Sequence, residues 1–283
     1  MKVIDMRCRP AFLHDFFGAT PGTAAYDAAR WLNRRVGSLH DEHFLPSLTQ
    51  EGFLEEVGRA GLSKAVVVGR HTPNQHLPND QIHQIVAGHD KLLGIGSVDP
   101  IVQGTLAAVS EAERAIKTLG LAGIDIEPGF SSPPRHPDDR AWFPIYEVCA
   151  QLGVPVFLMS GPTTPNLEYN DPAPLARVAQ AFPQLRIVCY HGFYPNVAQM
   201  VGVAFRYENI LVVPDMYQFL PGSHGYVEAA NGFMADQLLF GSSYPFRPIG
   251  QSIDDYLKLG FKDRIIDKLL YQNAQRLFQL DDQ

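Results

Sequence analysis

Two arginines lie two residues apart in the first apolar run of the chain, as Arg7 and Arg9. Side chains at positions i and i+2 of a β-strand point to the same side, so both guanidiniums are expected in one pocket. A guanidinium stays protonated at any accessible pH and offers only hydrogen-bond donors, so it cannot ligate a metal. The pair predicts either a site for a carboxylated substrate or two arginines that neutralise buried carboxylates.

Two further candidates follow later apolar runs. Arg70 comes directly after a Val-Val-Val-Gly run, and we expect it to join Arg7 and Arg9 in holding substrate carboxylates; the alternative is a surface arginine. His191 precedes Gly192 at the end of another run. That position favours a role in proton transfer over that of a buried core histidine.

Carboxylates and tyrosines complete the set of candidates. Glu127 precedes Pro128-Gly129, so its run ends there and its carboxylate is either a base or an arginine partner. Asp215 is the other group that could orient His191 or act as a second base. Tyr217 shares a face with Asp215, and either Tyr217 or Tyr244 could donate to a substrate carbonyl; packing in the pocket wall is the alternative for both tyrosines.

The elements that must position these residues alternate along the chain. Short apolar runs bounded by Gly, Pro, Asp or Asn predict strands buried on both faces, and amphipathic segments between them predict helices. Eight such units predict an α/β fold, a (β/α)8 barrel with catalytic groups at the carboxyl ends of its strands. The predicted strands are Val3–Arg7, Ala65–Gly69, Leu92–Val98, Gly123–Glu127, Val154–Met159, Arg186–His191, Ile210–Asp215 and Gln237–Gly241, and the predicted helices include Thr49–Ala60, Gly104–Leu119, Trp142–Leu152, Pro174–Ala181 and Asn196–Phe205.

Two segments depart from this alternation, but neither divides the chain, so residues 1–283 are predicted to form one domain. Residues 11–48 form an insertion rich in aromatic and basic residues, which we expect to act as a lid or as a contact with another copy of the chain. The proline-rich segment Phe130–Arg140 is expected to cross the barrel mouth after the fourth strand.

Composition narrows the class of protein. The 283-residue chain carries a net charge of −7 without a basic run, which argues against a nucleic-acid partner. Its three cysteines lack metal-site or redox spacing and indicate a reducing compartment. No apolar run reaches the roughly 18 residues of a membrane span, and the apolar stretch at the start is too short for a signal peptide. We therefore expect a cytoplasmic protein.

Several blocks of sequence resemble the amidohydrolase-related superfamily, in the branch that contains 2-amino-3-carboxymuconate semialdehyde decarboxylase, γ-resorcylate decarboxylase and related hydratases and lactonases. The resemblance covers nearly the whole chain and implies the same barrel. It is carried by Ile4-Asp5-x-Arg7-x-Arg9, Gly153-Val154-Pro155-Val156, Cys189-Tyr190-His191-Gly192, Asp236-Gln237-Leu238-Leu239-Phe240-Gly241-Ser242-Ser243-Tyr244-Pro245 and Asn273-Ala274-x-Arg276-Leu277.

The resemblance also implies where a metal would have been bound. The family's two first-strand histidines correspond to Arg7 and Arg9, and its strand-eight aspartate corresponds to Ser243. Its strand-five histidine corresponds to Met159 or the neighbouring Ser160, and only the strand-six histidine persists, as His191. We therefore expect no metal cofactor. The alternative is one divalent ion such as zinc at Glu127, His191 and Asp215, which the nearby arginines would repel.

These residues together predict an enzyme that acts on a small carboxylated substrate by acid–base chemistry without a metal. Hydrolysis of a lactone or similar ester-like bond is the preferred reaction, since the branch includes metal-independent lactonases. Decarboxylation of a small aromatic or unsaturated acid is the first alternative. The second is a catalytically silent barrel that binds a carboxylated metabolite or serves as an oligomerising partner.

Overall fold

Buried apolar runs form a parallel sheet that curves into a barrel. The computed structural model describes residues 1–13, 20–38, 40 and 42–281. Seven parallel strands pair in the order β1-β2-β5-β6-β7-β8-β9, and β3 and β4 form a separate antiparallel hairpin. The strands are β1 Ile4–Cys8, β2 Lys64–Val68, β3 Arg70–Thr72, β4 Gln75–Leu77, β5 Leu92–Ser97, β6 Ile124–Ile126, β7 Val156–Leu158, β8 Ile187–Tyr190 and β9 Ile210–Val213.

The chain at 237–244 fills the eighth position of the barrel without forming a continuous strand. Isolated parallel bridges join Leu238 to Val212 on one side and Tyr244 to Cys8 on the other. The Met6 N–H also donates to the Phe240 carbonyl at 3.0 Å, which ties this segment to β1. The predicted barrel and single domain are therefore confirmed, but the predicted strand Gln237–Gly241 is replaced by these separate bridges.

Helices follow the strands and cover the outside of the barrel. In α5, for example, Ala108, Ala112 and Ala115 recur at helical spacing and are fully buried, so this face packs on the sheet. The helices are α1 Ala24–Arg35, α2 Gln50–Arg59, α3 Asn79–Val86, α4 Pro100–Gln103, α5 Thr105–Lys117, α6 Phe143–Leu152, α7 Leu175–Ala181, α8 Val197–Arg206, α9 His224–Ala230, α10 Ile249–Leu257, α11 Asp263–Asp267 and α12 Asn273–Phe278, with a π-helical stretch at Lys268–Gln272. In the described part of the chain, no helix has both the length and the apolar composition needed to cross a membrane.

Apolar side chains pack in two layers because strand residues alternate between the two faces of the sheet. In β2, Val66 and Val68 belong to the cluster inside the barrel, whereas Ala65 and Val67 belong to the cluster between barrel and helices. A fully buried valine contributes roughly 1.5–3 kcal/mol relative to an exposed one, so both layers stabilise the fold.

An irregularity in β1 sets the direction of the two arginines. The pairing of β1 with β2 shifts between Asp5 and Cys8, where three steps along β1 match two steps along β2. Such a bulge reverses which side chains face inward, and bulges often re-aim a residue beside an active site. Because of it, Arg7 and Arg9 both reach the barrel mouth, although Met6 belongs to the interior cluster.

The connection after β2 also differs from the simple alternation. A short hairpin, β3 and β4, follows β2 before α3 begins. No strong sequence pattern predicts it, because each strand has only three residues. Within the insertion at 11–48, the described residues include α1, whose Ala25, Ala28 and Leu32 line the mouth cavity. Residues 14–19, with the aromatic Phe16 and Phe17, lie outside the described residues.

Candidate active site

A cavity of about 360 Å³ opens at the carboxyl ends of the strands. This is the end of the barrel on which enzymes of this fold place their chemistry. The cavity joins polar residues from the strand ends to an apolar wall that includes α1. It is lined by Arg7, Arg9, Ala25, Ala28, Ala29, Leu32, Arg70, Gln75, Phe130, Met159, Thr163, His191, Met216, Ser243, Tyr244 and Phe246.

Arg9 is held by buried carboxylates on one side of this mouth. Its Nη2 donates to Asp125 Oδ2 at 3.0 Å and to Glu127 Oε1 at 2.9 Å, and all three side chains are at most 1% exposed. Its Nε and Nη2 also donate to the carbonyls of Val68 and Gly69. The guanidinium thus links the ends of β1, β2 and β6. This contact fits the alternative in which the arginine pairs with buried carboxylates.

Arg70 completes the same network from the start of the hairpin. Its Nη2 lies 2.9 Å from Glu127 Oε2, and its guanidinium lies 5.0 Å from the centre of the Phe130 ring. Glu127 is therefore placed between two arginines, and Arg70 and Arg9 hold its pKa below the usual range although burial opposes this. Burial raises the pKa of its neighbour Asp125 well above the ordinary value. We call Arg9, Arg70, Asp125 and Glu127 the charge-paired half of the mouth.

Arg7 has a different environment on the other side. Among the described residues, no carboxylate lies within ion-pair distance of its guanidinium. The group is 4% exposed, its Nη2 lies 3.9 Å from Met159 Sδ, and its Nε finds no hydrogen-bond partner in the described part of the chain. Burial, together with the charge of Arg9, lowers its pKa to about 10, so Arg7 is still cationic at neutral pH.

His191 and Asp215 form a hydrogen-bonded pair beside Arg7. The shortest approach joins His191 Nδ1 to an Asp215 carboxylate oxygen at 2.7 Å. The backbone N–H of His191 donates to the same carboxylate at 3.2 Å. This leaves the Nε2 side of the ring for the cavity that His191 lines. Burial lowers the pKa of His191 below 6.5 although Asp215 opposes this, so the imidazole is neutral at pH 7. A neutral, oriented imidazole is suited to act as a base.

Three strand-end residues adopt the left-handed backbone conformation that non-glycine residues rarely take. They are His191 with φ 63°, Asp215 with φ 45° and Ser243 with φ 58°. Each such residue costs about 1–3 kcal/mol, and the cost persists only where surrounding contacts impose it. With Arg7, we call these residues the open half of the mouth.

The structure places the two tyrosine candidates differently. The Tyr244 residue lines the cavity, but its ring stacks on Phe53 of α2 at 5.7 Å between centroids. Tyr217 does not line the cavity; it packs edge-on to His191 and stacks on Tyr194. These contacts match the wall-packing alternative. Glu127 likewise lies behind the cavity surface, with each of its carboxylate oxygens within 2.9 Å of an arginine.

The residues at the inherited metal positions do not fit a metal ion. Arg7 and Arg9 offer only donors, and Ser160 Oγ is already engaged with the Tyr190 carbonyl and the Phe193 N–H. Among the described residues, no group of three or more His, Cys, Asp or Glu side chains is arranged to hold a metal. The alternative trio is split, because Glu127 pairs with arginines while His191 and Asp215 pair with each other.

Sequence reasoning missed Asp125, although a signal was present. Asp125 and Glu127 are spaced by two residues, like Arg7 and Arg9, so a buried pair of carboxylates facing a pair of arginines was readable from the spacing. It also missed the alanines of α1 and the hairpin residue Gln75 as parts of the cavity wall. No pattern in the sequence indicates how a helix in an insertion docks over a barrel.

Two solved structures resemble this chain over almost its full length. An uncharacterized TIM-barrel protein from Bordetella bronchiseptica is 31% identical, with a TM-score of 0.89 over 99% of both chains. A probable 2-pyrone-4,6-dicarboxylic acid hydrolase from Acinetobacter baumannii, with citric acid bound, has a TM-score of 0.66 at 16% identity over 99% of this chain and 100% of its own, which shows a shared fold.

A sequence relative and a family profile show which family the chain belongs to. The 2-amino-3-carboxymuconate-6-semialdehyde decarboxylase of Dictyostelium discoideum is 40% identical over 81 residues, which span 28% of this chain and 21% of the relative. The profile of the amidohydrolase family matches residues 4–280, almost the full length. The chain therefore belongs to the amidohydrolase family.

Proposed function

We propose that the protein hydrolyses an ester-like bond, with a lactone as the preferred form, in a small carboxylated acid and without a metal. One observation carries this proposal: His191, which is paired with Asp215, lines the same cavity as Arg7, which forms no ion pair with a carboxylate of the described residues. One group can take a proton from water while the other binds the anionic part of the substrate.

His191 acts as the general base. Its Nε2 takes a proton from a water molecule as the water oxygen adds to the carbonyl carbon of the substrate. Asp215 fixes the ring through Nδ1 and stabilises the imidazolium that forms, because its buried carboxylate lies 2.7 Å away. The tetrahedral intermediate then collapses, the alkoxide of the opened ring leaves, and it takes the proton back from His191.

Arg7 supplies the positive charge. Its guanidinium holds a carboxylate of the substrate and favours the negative charge that develops on the attacked carbonyl oxygen. This replaces the Lewis acid of metal-dependent relatives with a fixed cation. Arg7 is 4% and His191 6% exposed, and a charge interaction between such buried groups is stronger than it would be in bulk water.

Decarboxylation is the second candidate, favoured by the relative from Dictyostelium discoideum that carries that activity in its name. The two reactions make opposite demands on His191. Hydrolysis needs a base, whereas loss of carbon dioxide leaves a carbanion that an acid must protonate. The lowered pKa of His191 keeps the ring neutral at pH 7, which supports the hydrolytic assignment.

A product analysis in isotopic water separates the candidates. Muconolactones, pyrone carboxylates and hydroxybenzoates are incubated with the protein in H₂¹⁸O and in D₂O. Hydrolysis places ¹⁸O in a new carboxylate and releases no carbon dioxide. Decarboxylation releases carbon dioxide and places deuterium on carbon, which would overturn the proposal in favour of the second candidate. Carboxylates that bind but are never converted would favour the silent barrel.

A further inference from the structure

The charge distribution of the mouth limits how many carboxylates a substrate can carry. We propose that the cavity selects a monocarboxylate, whose single carboxylate is bound by Arg7 together with the hydroxyl of Ser243, and discriminates against dicarboxylates. This inference rests on the proposed function for the position of the substrate, but it concerns recognition and can be tested without turnover.

Two of the three arginines are already paired with carboxyl groups of the protein. Arg9 contacts both Asp125 and Glu127, and Arg70 contacts Glu127. A substrate carboxylate directed at either arginine would lie next to a buried carboxylate of the protein. Like charges brought together among buried side chains repel strongly. The charge-paired half therefore offers no binding site for a second carboxylate.

Arg7 and Ser243 of the open half line the cavity, and each carries a buried polar atom that has no hydrogen-bond partner among the described residues. These atoms are Arg7 Nε and Ser243 Oγ, and their residues are 4% and 3% exposed. A buried polar group left unsatisfied costs about 1–3 kcal/mol, and more for a charged group. A carboxylate has two oxygens, so it can accept hydrogen bonds from the guanidinium and from the serine hydroxyl at once.

The rest of the wall suits an uncharged body. Ala25, Ala28, Ala29 and Leu32 of α1 line one part of the cavity, and Phe130, Met159, Met216 and Phe246 line others. A second carboxylate placed against these side chains would lose its hydration without gaining a cation, which is a large penalty. The small side chains of α1 leave room for a ring.

Ligand binding to the intact protein tests this selectivity. Matched mono- and dicarboxylates of benzene, furan and pyrone are titrated by calorimetry, with thermal shift as a second readout. We expect each monocarboxylate to bind at least about 10-fold more tightly than its dicarboxylate partner, which corresponds to about 1.4 kcal/mol. Equal or tighter binding of the dicarboxylates, or no binding of any monocarboxylate at millimolar concentration, would overturn the proposal.

Three variants assign the selectivity to residues. Arg7→Met should weaken monocarboxylate binding by about 10- to 100-fold, since a hydrogen-bonded charge contributes roughly 1.5–3 kcal/mol. Ser243→Ala should weaken it less, by up to about 10-fold. Arg177→Met is the matched control, because Arg177 is an exposed arginine on α7 outside the cavity. Unchanged monocarboxylate affinity in both cavity variants would remove Arg7 and Ser243 from the binding site.

A gain of function gives the sharpest test. Glu127→Gln keeps the shape of the side chain but removes the charge that neutralises Arg70, so dicarboxylates should gain affinity relative to monocarboxylates. An unchanged preference in a folded variant would contradict the charge argument. If monocarboxylates bind selectively but no hydrolysis is found, the proposed function fails and this inference stands. If lactones carrying two carboxylates are the ones hydrolysed, the inference alone fails.

Discussion

The two halves of the barrel mouth use the same residue type in opposite ways. Arg7 on β1 and Arg9 just after it are two residues apart, and both are almost fully buried. Arg9 meets Asp125 and Glu127 from β6 and its end, whereas Arg7 meets Met159 and the face of the Tyr190 ring. The neighbouring strand ends, and not the arginines themselves, therefore decide which guanidinium is structural and which one is available to a ligand.

This difference also separates stability from activity. Breaking a buried ion pair by removing one partner is strongly destabilising, because the remaining charge has no compensation. Removing a buried charge that forms no ion pair with a carboxylate leaves no uncompensated charge behind. The charge-paired half should therefore respond to mutation mainly in stability, and the open half mainly in catalysis and binding.

The largest expected effect concerns His191 in the open half. His191→Asn should reduce turnover of a hydrolysed substrate by about 10²–10⁴, the usual share of general acid–base catalysis, while ligand affinity changes only a few-fold. Steady-state kinetics and calorimetry check the two parts separately. His224→Asn is the control, since His224 is exposed on α9. Full turnover in His191→Asn would remove this residue from the mechanism.

The same residue predicts the pH profile. Burial lowers the pKa of His191 below 6.5, and the base is active only when neutral, so kcat/KM should rise with pH through a midpoint below 6.5 and then level off. In Asp215→Asn the imidazolium loses its partner, so that midpoint should move further down. A rate that falls as pH rises through this range would indicate that His191 acts as an acid.

The second largest effect is expected on stability, where Arg9 and Arg7 should differ. Arg9→Met should reduce the free energy of unfolding by about 3–5 kcal/mol, because Asp125 and Glu127 then lie buried with one cation fewer. Arg7→Met should change it by less than about 1 kcal/mol, since no carboxylate in the described part of the chain forms an ion pair with Arg7. Urea unfolding at pH 7 measures both. Equal losses would mean that the two halves are not energetically distinct.

The third effect lies beneath the open half, at Asp5. Its Oδ1 accepts hydrogen bonds from the N–H groups of Arg7 and Ser242 at 3.0 Å, and burial raises its pKa from 3.8 to about 6. The folded state then binds a proton more tightly than the unfolded chain. This contribution to stability is fully present below pH 3.8 and is lost as pH rises through 6, by up to about 3 kcal/mol.

Asp5→Asn isolates that contribution. The difference in unfolding free energy between the native protein and Asp5→Asn should change steadily between pH 4 and pH 6 and be constant above about pH 7. Denaturant titrations across this range provide the measurement. A difference that stays constant from pH 4 to pH 7 would show that the carboxyl of Asp5 has an ordinary pKa.

The sequence predicts the barrel and the place of the arginines in it, but not the local geometry that separates the two halves of the mouth. The apolar runs and the two-residue spacing of Arg7 and Arg9 correctly predicted the barrel and a shared mouth for the two arginines. The bulge between Asp5 and Cys8 was not predictable, because it depends on pairing with β2 and closure against 237–244. The spacing of Asp125 and Glu127 indicates two buried carboxylates on one side of a strand, but not which arginine they pair with, since that depends on how the strand ends come together.

The smallest expected effect is on metal binding, where we predict none. The open half offers one imidazole nitrogen beside a cationic guanidinium, and the carboxylates of the charge-paired half are engaged with arginines. Elemental analysis of protein purified without added metal should therefore find well below one equivalent, and chelators should change neither the melting temperature nor the turnover. Stoichiometric zinc or manganese that disappears in His191→Asn would contradict this view of the open half. It would show that the open half, despite Arg7, still acts as a metal site.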